Sequence, residues 1–139
     1  MICKDMKKIL FAALGLVISL GSAFAQQQQM SPEEKEKKLT EFIQKEIDKL
    51  ETSLKLEDWQ VFYVDSILNH DYRALQDELQ EMQDAKVSSS DLYTKASDKW
   101  YEQVYNSMHK VLNEEQWNKY LKSGAARSKK ARDKRMAKN

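Results

Sequence analysis

Residues 58 to 85, DWQVFYVDSILNHDYRALQDELQEMQDA, decide the fold. Their apolar side chains recur at intervals of three and four residues: Val61, Val64, Leu68, Tyr72, Leu75, Leu79 and Met82. This spacing places the apolar side chains on one side of an α-helix. At about 1.5 Å per residue the helix would be roughly 42 Å long. Such a length without glycine or proline favours coiled-coil-like packing against another helix.

The sequence before this stretch predicts a first helix. Ser31, Pro32 and Glu34 form a typical helix start, with the serine as N-cap, the proline at the first helical position and the glutamate closing a capping box. The helix is expected to continue to about residue 53. Its apolar side chains form one narrow stripe that needs a partner: Leu39, Phe42, Ile43, Ile47, Leu50 and Leu54.

Two more helices are expected after the long stretch. The serines at positions 88 to 90 can cap a third helix over about residues 91 to 112, and a fourth helix is expected after Asn113. Several aromatic side chains widen the apolar face of the third helix. We therefore predict an all-α fold, with long amphipathic helices that form a four-helix domain over residues 33 to 123.

Composition predicts a thin core. Leu, Ile, Val and Phe account for 20 of the 114 residues from 26 to 139, a proportion near that of disordered chains. Three tryptophans and six tyrosines partly compensate, and the balanced total charge argues against a self-repelling coil. We expect an elongated protomer that forms a homodimer to complete its core.

The N-terminal sequence is typical of a secretory signal peptide over residues 1 to 25. Lysines precede an apolar run of twelve residues, Ile9 to Leu20, and small residues precede a predicted cleavage after Ala25. The run is shorter than the roughly 20 residues that span a bilayer. We expect the chain to be exported and soluble after cleavage, with residues 26 to 32 as a disordered spacer.

Charge divides the chain into an acidic body and a basic tail. Residues 26 to 118 contain 11 basic and 20 acidic side chains, whereas residues 119 to 139 contain 9 basic and 1 acidic. We treat residues 124 to 139 as a basic C-terminal tail that is frayed or forms a solvated helix. Its candidate partners are an anionic membrane surface, an acidic client or the acidic body of a second subunit, and export argues against nucleic acid.

The chain provides little catalytic chemistry. The only cysteine, Cys3, would leave with the signal peptide, and His70 and His109 are the only histidines. Neither histidine has an acidic or thiolate residue three or four positions away, where a metal partner on the same helix would lie. We expect no enzymatic activity and no cofactor. A metal-responsive protein with a site shared across a dimer stays open as an alternative.

Two helix starts share one pattern: Leu56-Glu57-Asp58-Trp59-Gln60 and Leu112-Asn113-Glu114-Glu115-Gln116. In such a box the cap residue accepts from free N–H groups, and the glutamine accepts from the N–H of the cap. The leucine is expected to pack against the fourth helical residue, Val61 or Trp117. Asn113 is a good cap, whereas Glu57 is a poor one, so Asp58 can replace it and shift that helix by one residue.

Two boxes of this kind in a small exported all-helical chain resemble the LTxxQ-motif proteins of the Spy/CpxP type from Gram-negative envelopes. The likeness covers roughly residues 33 to 123 and rests on four residues: Leu56, Gln60, Leu112 and Gln116. The family has threonine at the cap, where this chain has Glu57 and Asn113.

The resemblance implies a curved four-helix protomer that pairs into a cradle-like dimer in the periplasm. It also implies stress-linked, ATP-independent binding of unfolded envelope proteins, or restraint of a sensor kinase. We predict contacts with clients or partners from aromatic residues of the third helix and cations of the tail: Trp100, Tyr101, Tyr105, Arg127, Lys129, Lys130, Arg132, Lys134 and Arg135. The alternative is a regulatory module without chaperone activity, which acts on an envelope sensor or an anionic surface through the basic tail.

Overall fold

The computed structural model describes residues 30 to 138. These residues belong to two units, which divide between Lys38 and Leu39. The predicted signal peptide, its cleavage after Ala25 and most of the predicted spacer lie outside the described residues. In the first unit the Ser31 N–H donates to Glu34 Oε2 at 3.1 Å, and the Glu34 N–H donates to Ser31 Oγ at 3.2 Å. These two bonds form the capping box predicted for the first helix.

Helices account for most of the described residues: α1 Pro32–Leu54, α2 Asp58–Asp84, α3 Ser90–Val111, α4 Glu114–Tyr120 and α5 Ala126–Ala137. A π-type turn, Leu121–Ala125, joins α4 to α5, so that the predicted fourth helix continues in two parts. Residues 30 to 138 contain no β-strand. The prediction of an all-α, four-helix fold is confirmed, while dimerisation stays a prediction.

Polar side chains pair α2 with α3 along their length. Trp100 Nε1 donates to Glu78 Oε2 at 2.6 Å, and Gln103 Nε2 donates to Asp71 Oδ1 at 2.8 Å. At the other end, Gln60 Nε2 donates to the carbonyl of Val111 at 3.0 Å. Residue numbers fall along α2 as they rise along α3, so the two helices are antiparallel.

The core of the second unit is built from the stripes of α1, α2 and α3. Its buried apolar residues are Ile43, Ile47, Leu54, Val64, Leu68, Val104, Met108 and Leu112. Phe42, which we placed on the stripe of α1, is instead 51% exposed. Adjacent helical residues point about 100° apart, so Ile43 and Phe42 do not both face the core. The Phe42 ring lies 5.7 Å from that of Tyr72.

Lysines rather than glycines reverse the chain after α1 and α2. Lys55 and Lys86 have positive φ angles of 51° and 56°, in the left-handed conformation that commonly ends a helix. The start of α3 also differs from the prediction in one detail. Ser89 occupies the N-cap position, but its side chain makes no capping hydrogen bond. The Leu92 N–H bonds to the Ser89 carbonyl at 3.2 Å instead.

Gly124 sets the direction of α5, because its φ angle of 126° interrupts the helix between α4 and α5. A Cβ atom added there would meet nothing within 4 Å, so a larger residue is disfavoured by the backbone conformation alone. Glycine adopts such angles without the steric cost that a side chain brings.

We expect Gly124→Ala to lower the free energy of unfolding by about 1–2 kcal/mol, because alanine is strained at this positive φ angle. Urea denaturation followed by circular dichroism measures the change. Asn106→Ala is the matched control, since Asn106 is an exposed residue within α3 and alanine favours the helix. An unchanged free energy for Gly124→Ala would show that the turn tolerates a side chain.

Candidate functional site

The glutamines of the two boxes, Gln60 and Gln116, hydrogen-bond to each other. Gln60 Nε2 donates to Gln116 Oε1 at 2.6 Å, and Gln116 Nε2 donates to Gln60 Oε1 at 3.0 Å. Both residues are buried, with exposures of 2% and 6%. The capping pattern predicts only a local role for each glutamine. The repeat of the box was the one available signal that the two helix starts belong together.

The same two amides also bind the ends of other helices. Gln60 Nε2 donates to the carbonyl of Val111, the last residue of α3. Gln116 Nε2 lies 3.3 Å from the carbonyl oxygen of Leu54 and 3.4 Å from that of Lys55, where α1 ends. The final carbonyls of a helix lack partners within the helix, so these bonds satisfy groups that burial would otherwise leave unpaired. We call this arrangement the glutamine junction.

The capping roles predicted for the two glutamines and for Asn113 are confirmed. Gln60 Oε1 accepts from the Glu57 N–H at 3.0 Å, and Gln116 Oε1 accepts from the Asn113 N–H at 3.1 Å. The Gln116 N–H donates in return to Asn113 Oδ1 at 2.9 Å. Glu57 remains the N-cap of α2, so the shift to Asp58 that we considered does not occur.

The expected staple residues join the core around the junction. Leu112 is buried in the core cluster, and Leu56, Val61 and Trp117 pack against that cluster. The Trp117 ring also stacks on His109, with 4.2 Å between ring centroids. The second box is therefore surrounded by aromatic as well as aliphatic side chains.

The three aromatic residues predicted to contact clients have different surroundings. Trp100 bonds to Glu78 across the α2–α3 interface and is half-buried. Tyr105 is half-buried too, with its ring 4.9 Å from that of Trp117. Tyr101 is 45% exposed, and its ring lies 6.2 Å from that of Tyr72. Of the three, Tyr101 presents the largest share of its surface.

Of the two forms expected for the tail, frayed or a solvated helix, the structure shows a helix, α5, most of whose residues are exposed. Ion pairs bind its other side to α3, which the expectation did not include. Arg132 is 5% exposed and donates from Nε to Glu102 Oε2 at 3.1 Å. Arg135 makes two bonds of 2.7 Å to the carboxylate of Asp98, from Nε and Nη2. The hydrogen bonds to Asp98 raise the pKa of Arg135 above its usual value, so Arg135 stays charged. Asp98 and Glu102 lie one turn apart on α3, and sequence alone did not show that the tail returns to them.

The tail cations divide into two sets. The first set pairs with carboxylates of α3. Lys129 Nζ lies 3.0 Å from Glu102 Oε1, and Arg132 and Arg135 make the ion pairs described above. The other predicted contact residues, Arg127, Lys130 and Lys134, are exposed and make no ion pair with any described residue. Their spacing of three and four places them on one side of α5. We call these three residues the basic face.

Three exposed aromatic rings lie at the start of α2, where no site was predicted from the sequence. Trp59, Phe62 and Tyr63 are 52%, 70% and 52% exposed. Their rings contact one another at centroid distances of 6.2 Å for Trp59–Tyr63 and 5.6 Å for Phe62–Tyr63. We call these residues the aromatic patch. Its signal in the sequence was three aromatic residues within five positions, none of them on the predicted stripe.

The histidines have packing or hydrogen-bonding partners. His70 Nδ1 lies 2.8 Å from Oδ1 of Asp71, a buried carboxylate that also accepts from Gln103. His109 stacks on Trp117. Within residues 30 to 138 no group of three or more His, Cys, Asp or Glu side chains is arranged to hold a metal ion.

Searches against protein-family models, curated proteins and solved structures found no match to this chain. None of the described helices has the length and apolar character needed to cross a membrane. The resemblance to the LTxxQ-motif family therefore rests on the residues of the two boxes.

The glutamine junction predicts strong coupling between its two amides. We expect Gln60→Leu or Gln116→Leu alone to cost about 2–4 kcal/mol of unfolding free energy, since each leaves buried groups of the other glutamine and of a helix end unpaired. The double variant should cost less than the sum of the two by at least about 1 kcal/mol.

A double-mutant cycle in urea, followed by circular dichroism, measures this coupling. Gln76→Leu is the control for a glutamine exposed on α2, and it should stay within about 0.5 kcal/mol of the parent protein. Additive effects of the two junction substitutions would contradict the amide pairing.

Proposed function

We propose that this chain is an exported, ATP-independent, chaperone-like or envelope stress-response protein of the LTxxQ-motif type, which binds unfolded clients as a periplasmic homodimer. The proposed role is binding rather than enzymatic catalysis. Two features support it: the paired capping boxes, which carry the resemblance, and an exposed aromatic surface that overlaps the first box in the sequence.

The aromatic patch is the observation that carries this proposal. Three large rings that are each more than half exposed form a contiguous apolar surface, and such surfaces mark sites of protein interaction. Unfolded polypeptides expose apolar side chains, and transfer of these side chains from water to an apolar surface is favourable. This attraction is not directional, so the client needs no specific shape. Aromatic rings offer large contact areas and lose little conformational freedom.

The charges around the patch indicate which clients it would prefer. Glu57, Asp58 and Asp65 are exposed on or beside the first turns of α2, next to the three rings. These carboxylates favour client segments that combine apolar and basic residues. The charge near the patch is thus opposite in sign to that of the predicted contact residues, which combine aromatic side chains of α3 with cations of the tail.

The lead prediction concerns suppression of aggregation. We expect the exported protein, with its N terminus read by mass spectrometry, to suppress aggregation of a chemically denatured model protein at about equimolar concentration without ATP. Replacing Trp59, Phe62 and Tyr63 by glutamine should raise the concentration required by about tenfold or more, since the loss of three ring contacts exceeds about 1.4 kcal/mol.

Light scattering measures the suppression, and circular dichroism verifies that each variant is folded. Leu92→Gln serves as the matched control, because Leu92 is a 47% exposed apolar residue on α3, outside the patch. No suppression by the folded parent protein at several-fold excess would reject the chaperone role. Equal suppression by the triple variant would reject the patch as its surface.

The basic face supports a second candidate function, a binding module that acts on an anionic surface without chaperone activity. Arg127, Lys130 and Lys134 place three cations on one side of a helix that is itself fixed to α3. Cations near an anionic membrane each contribute about 1 kcal/mol of attraction. An acidic sensor domain would be attracted to the same residues.

If the basic face binds anionic membranes, replacing all three cations by glutamine should weaken binding to phosphatidylglycerol vesicles by about a hundredfold at low salt, from the loss of about 3 kcal/mol. Vesicle co-sedimentation measures the affinity, with phosphatidylcholine vesicles as the uncharged reference. The control variant replaces Lys37, Lys45 and Lys110 by glutamine, which removes the same total charge from exposed positions outside the basic face. Equal loss in the two variants would leave only a net-charge effect and reject the basic face.

A further inference from the structure

A small cleft in the second unit is lined by phenol rings from three helices. It has a volume of about 230 Å³, and residues of all five helices and of the turn between α4 and α5 form its walls. Tyr72, Tyr101, Tyr105 and Tyr120 contribute its aromatic lining. This volume is below the usual range for sites that enclose a whole drug-sized ligand, so the cleft suits one end or one side chain of a larger molecule.

Two of these tyrosines, Tyr72 and Tyr120, are hydrogen-bond donors whose hydroxyls bond to no other described residue. Burial raises the pKa of Tyr72, and the neighbouring Tyr120, Tyr101, Glu46 and Asp71 raise it further. Burial also raises the pKa of Tyr120, and the nearby Arg132 charge offsets part of that rise. Both phenols therefore keep their protons at neutral pH and can donate to an acceptor.

Arg132 adds a buried donor to the same cleft. Its Nε atom donates to Glu102, whereas its Nη2 atom is buried and has no hydrogen-bond partner among residues 30 to 138. The guanidinium carbon lies 5.7 Å from the ring centroid of Tyr105. A buried guanidinium N–H without an acceptor is costly, and an oxygen acceptor that entered the cleft would satisfy it.

The charges of the lining favour an anion. Among the described residues, three charged side chains line the cleft, namely Arg132, Lys49 and Glu46. Lys49 Nζ lies 3.9 Å from Glu46 Oε1, so this exposed cation offsets the carboxylate. Glu102, outside the lining, neutralises Arg132 only in part, because Lys129 shares the same carboxylate. Phenol and guanidinium donors together therefore complement a group with one negative charge and several acceptor positions.

We propose that this cleft binds a carboxylate of an extended polypeptide, with the carboxylate near Arg132 and the hydroxyls of Tyr72 and Tyr120 and an apolar neighbour against the tyrosine rings. This inference rests on the proposed function, since it identifies a chemical feature of the clients. The carboxylate comes either from the C terminus of the bound polypeptide or from one of its Asp or Glu residues.

The test titrates three short peptides into the exported protein by isothermal calorimetry. N-acetyl-Ala-Ala-Phe carries a terminal carboxylate, its C-terminal amide carries none, and N-acetyl-Ala-Asp-Phe amide carries the carboxylate of its aspartate. We expect at least one of the two carboxylate peptides to bind about tenfold or more tightly than the neutral amide, and the stronger of the two identifies the source. Equal affinities for all three, or no heat from any, would overturn the proposal.

Variants assign the binding to the cleft. Tyr72→Phe with Tyr120→Phe removes two hydroxyls but keeps both rings, and this variant should lose about tenfold or more of the affinity for the carboxylate peptide. Arg132→Lys keeps a positive charge without Nη2 and should lose the carboxylate preference. Tyr93→Phe, at a tyrosine outside both the cleft and the aromatic patch, is the matched control. Unchanged affinity in the double variant would place the site elsewhere and overturn the assignment.

The aggregation assay separates this proposal from the proposed function. Suppression of aggregation without any carboxylate preference would reject the cleft site alone. A carboxylate preference that is lost in the double variant, in a protein that suppresses no aggregation, would support the site and reject the chaperone role.

Discussion

The fold of this chain depends on a pair of buried amides. Each of Gln60 and Gln116 bonds to the other, to the N–H of its own cap residue and to the C-terminal end of a different helix. A buried amide that loses one of these partners incurs the desolvation cost of an unpaired polar group. The pair therefore fixes two helix–helix contacts at once, between α2 and α3 and between α4 and α1. Apolar contacts alone would tolerate small shifts between these helices, whereas the hydrogen bonds of the junction do not.

The small apolar core explains why the hydrogen-bonded glutamine pair matters for this fold. It also explains why several aromatic rings are exposed at the surface. The core cluster holds eight buried apolar side chains, drawn from three helices and the cap that follows α3. Polar pairs supply further specificity between α2 and α3, as the bonds of Asp71 to Gln103 and of Glu78 to Trp100 show. Rings such as Trp59 and Phe62 lie away from this cluster and remain exposed at the surface. The amphipathic pattern of α2 places core and surface aromatics on different sides of one helix.

Local features of the sequence predicted the helices well, whereas contacts between residues far apart in the sequence could not be predicted. Caps and apolar stripes act within one or two turns, so the bounds of α1, α2 and α3 were expected to within one or two residues. The bond between Gln60 and Gln116 joins residues far apart in the sequence, and their boxes described only the local half of their role. The same holds for Arg135 and Asp98, since neither residue type nor spacing showed that the tail returns to α3. The prediction placed both Phe42 and Ile43 on the apolar stripe of α1, because both residues fit its spacing, but only Ile43 is buried.

The ion pairs of α5 change what its remaining cations can do. Arg132 and Arg135 hold the helix against α3 through Glu102 and Asp98, and bidentate arginine–carboxylate pairs are among the stronger hydrogen-bonded contacts. The basic face therefore projects from a fixed helix at a set spacing. A flexible tail of the same composition would lose conformational freedom when it bound an anionic partner, whereas a helix that is already ordered loses less. The acidic residues of α3 thus neutralise one side of α5 and fix the position of the other.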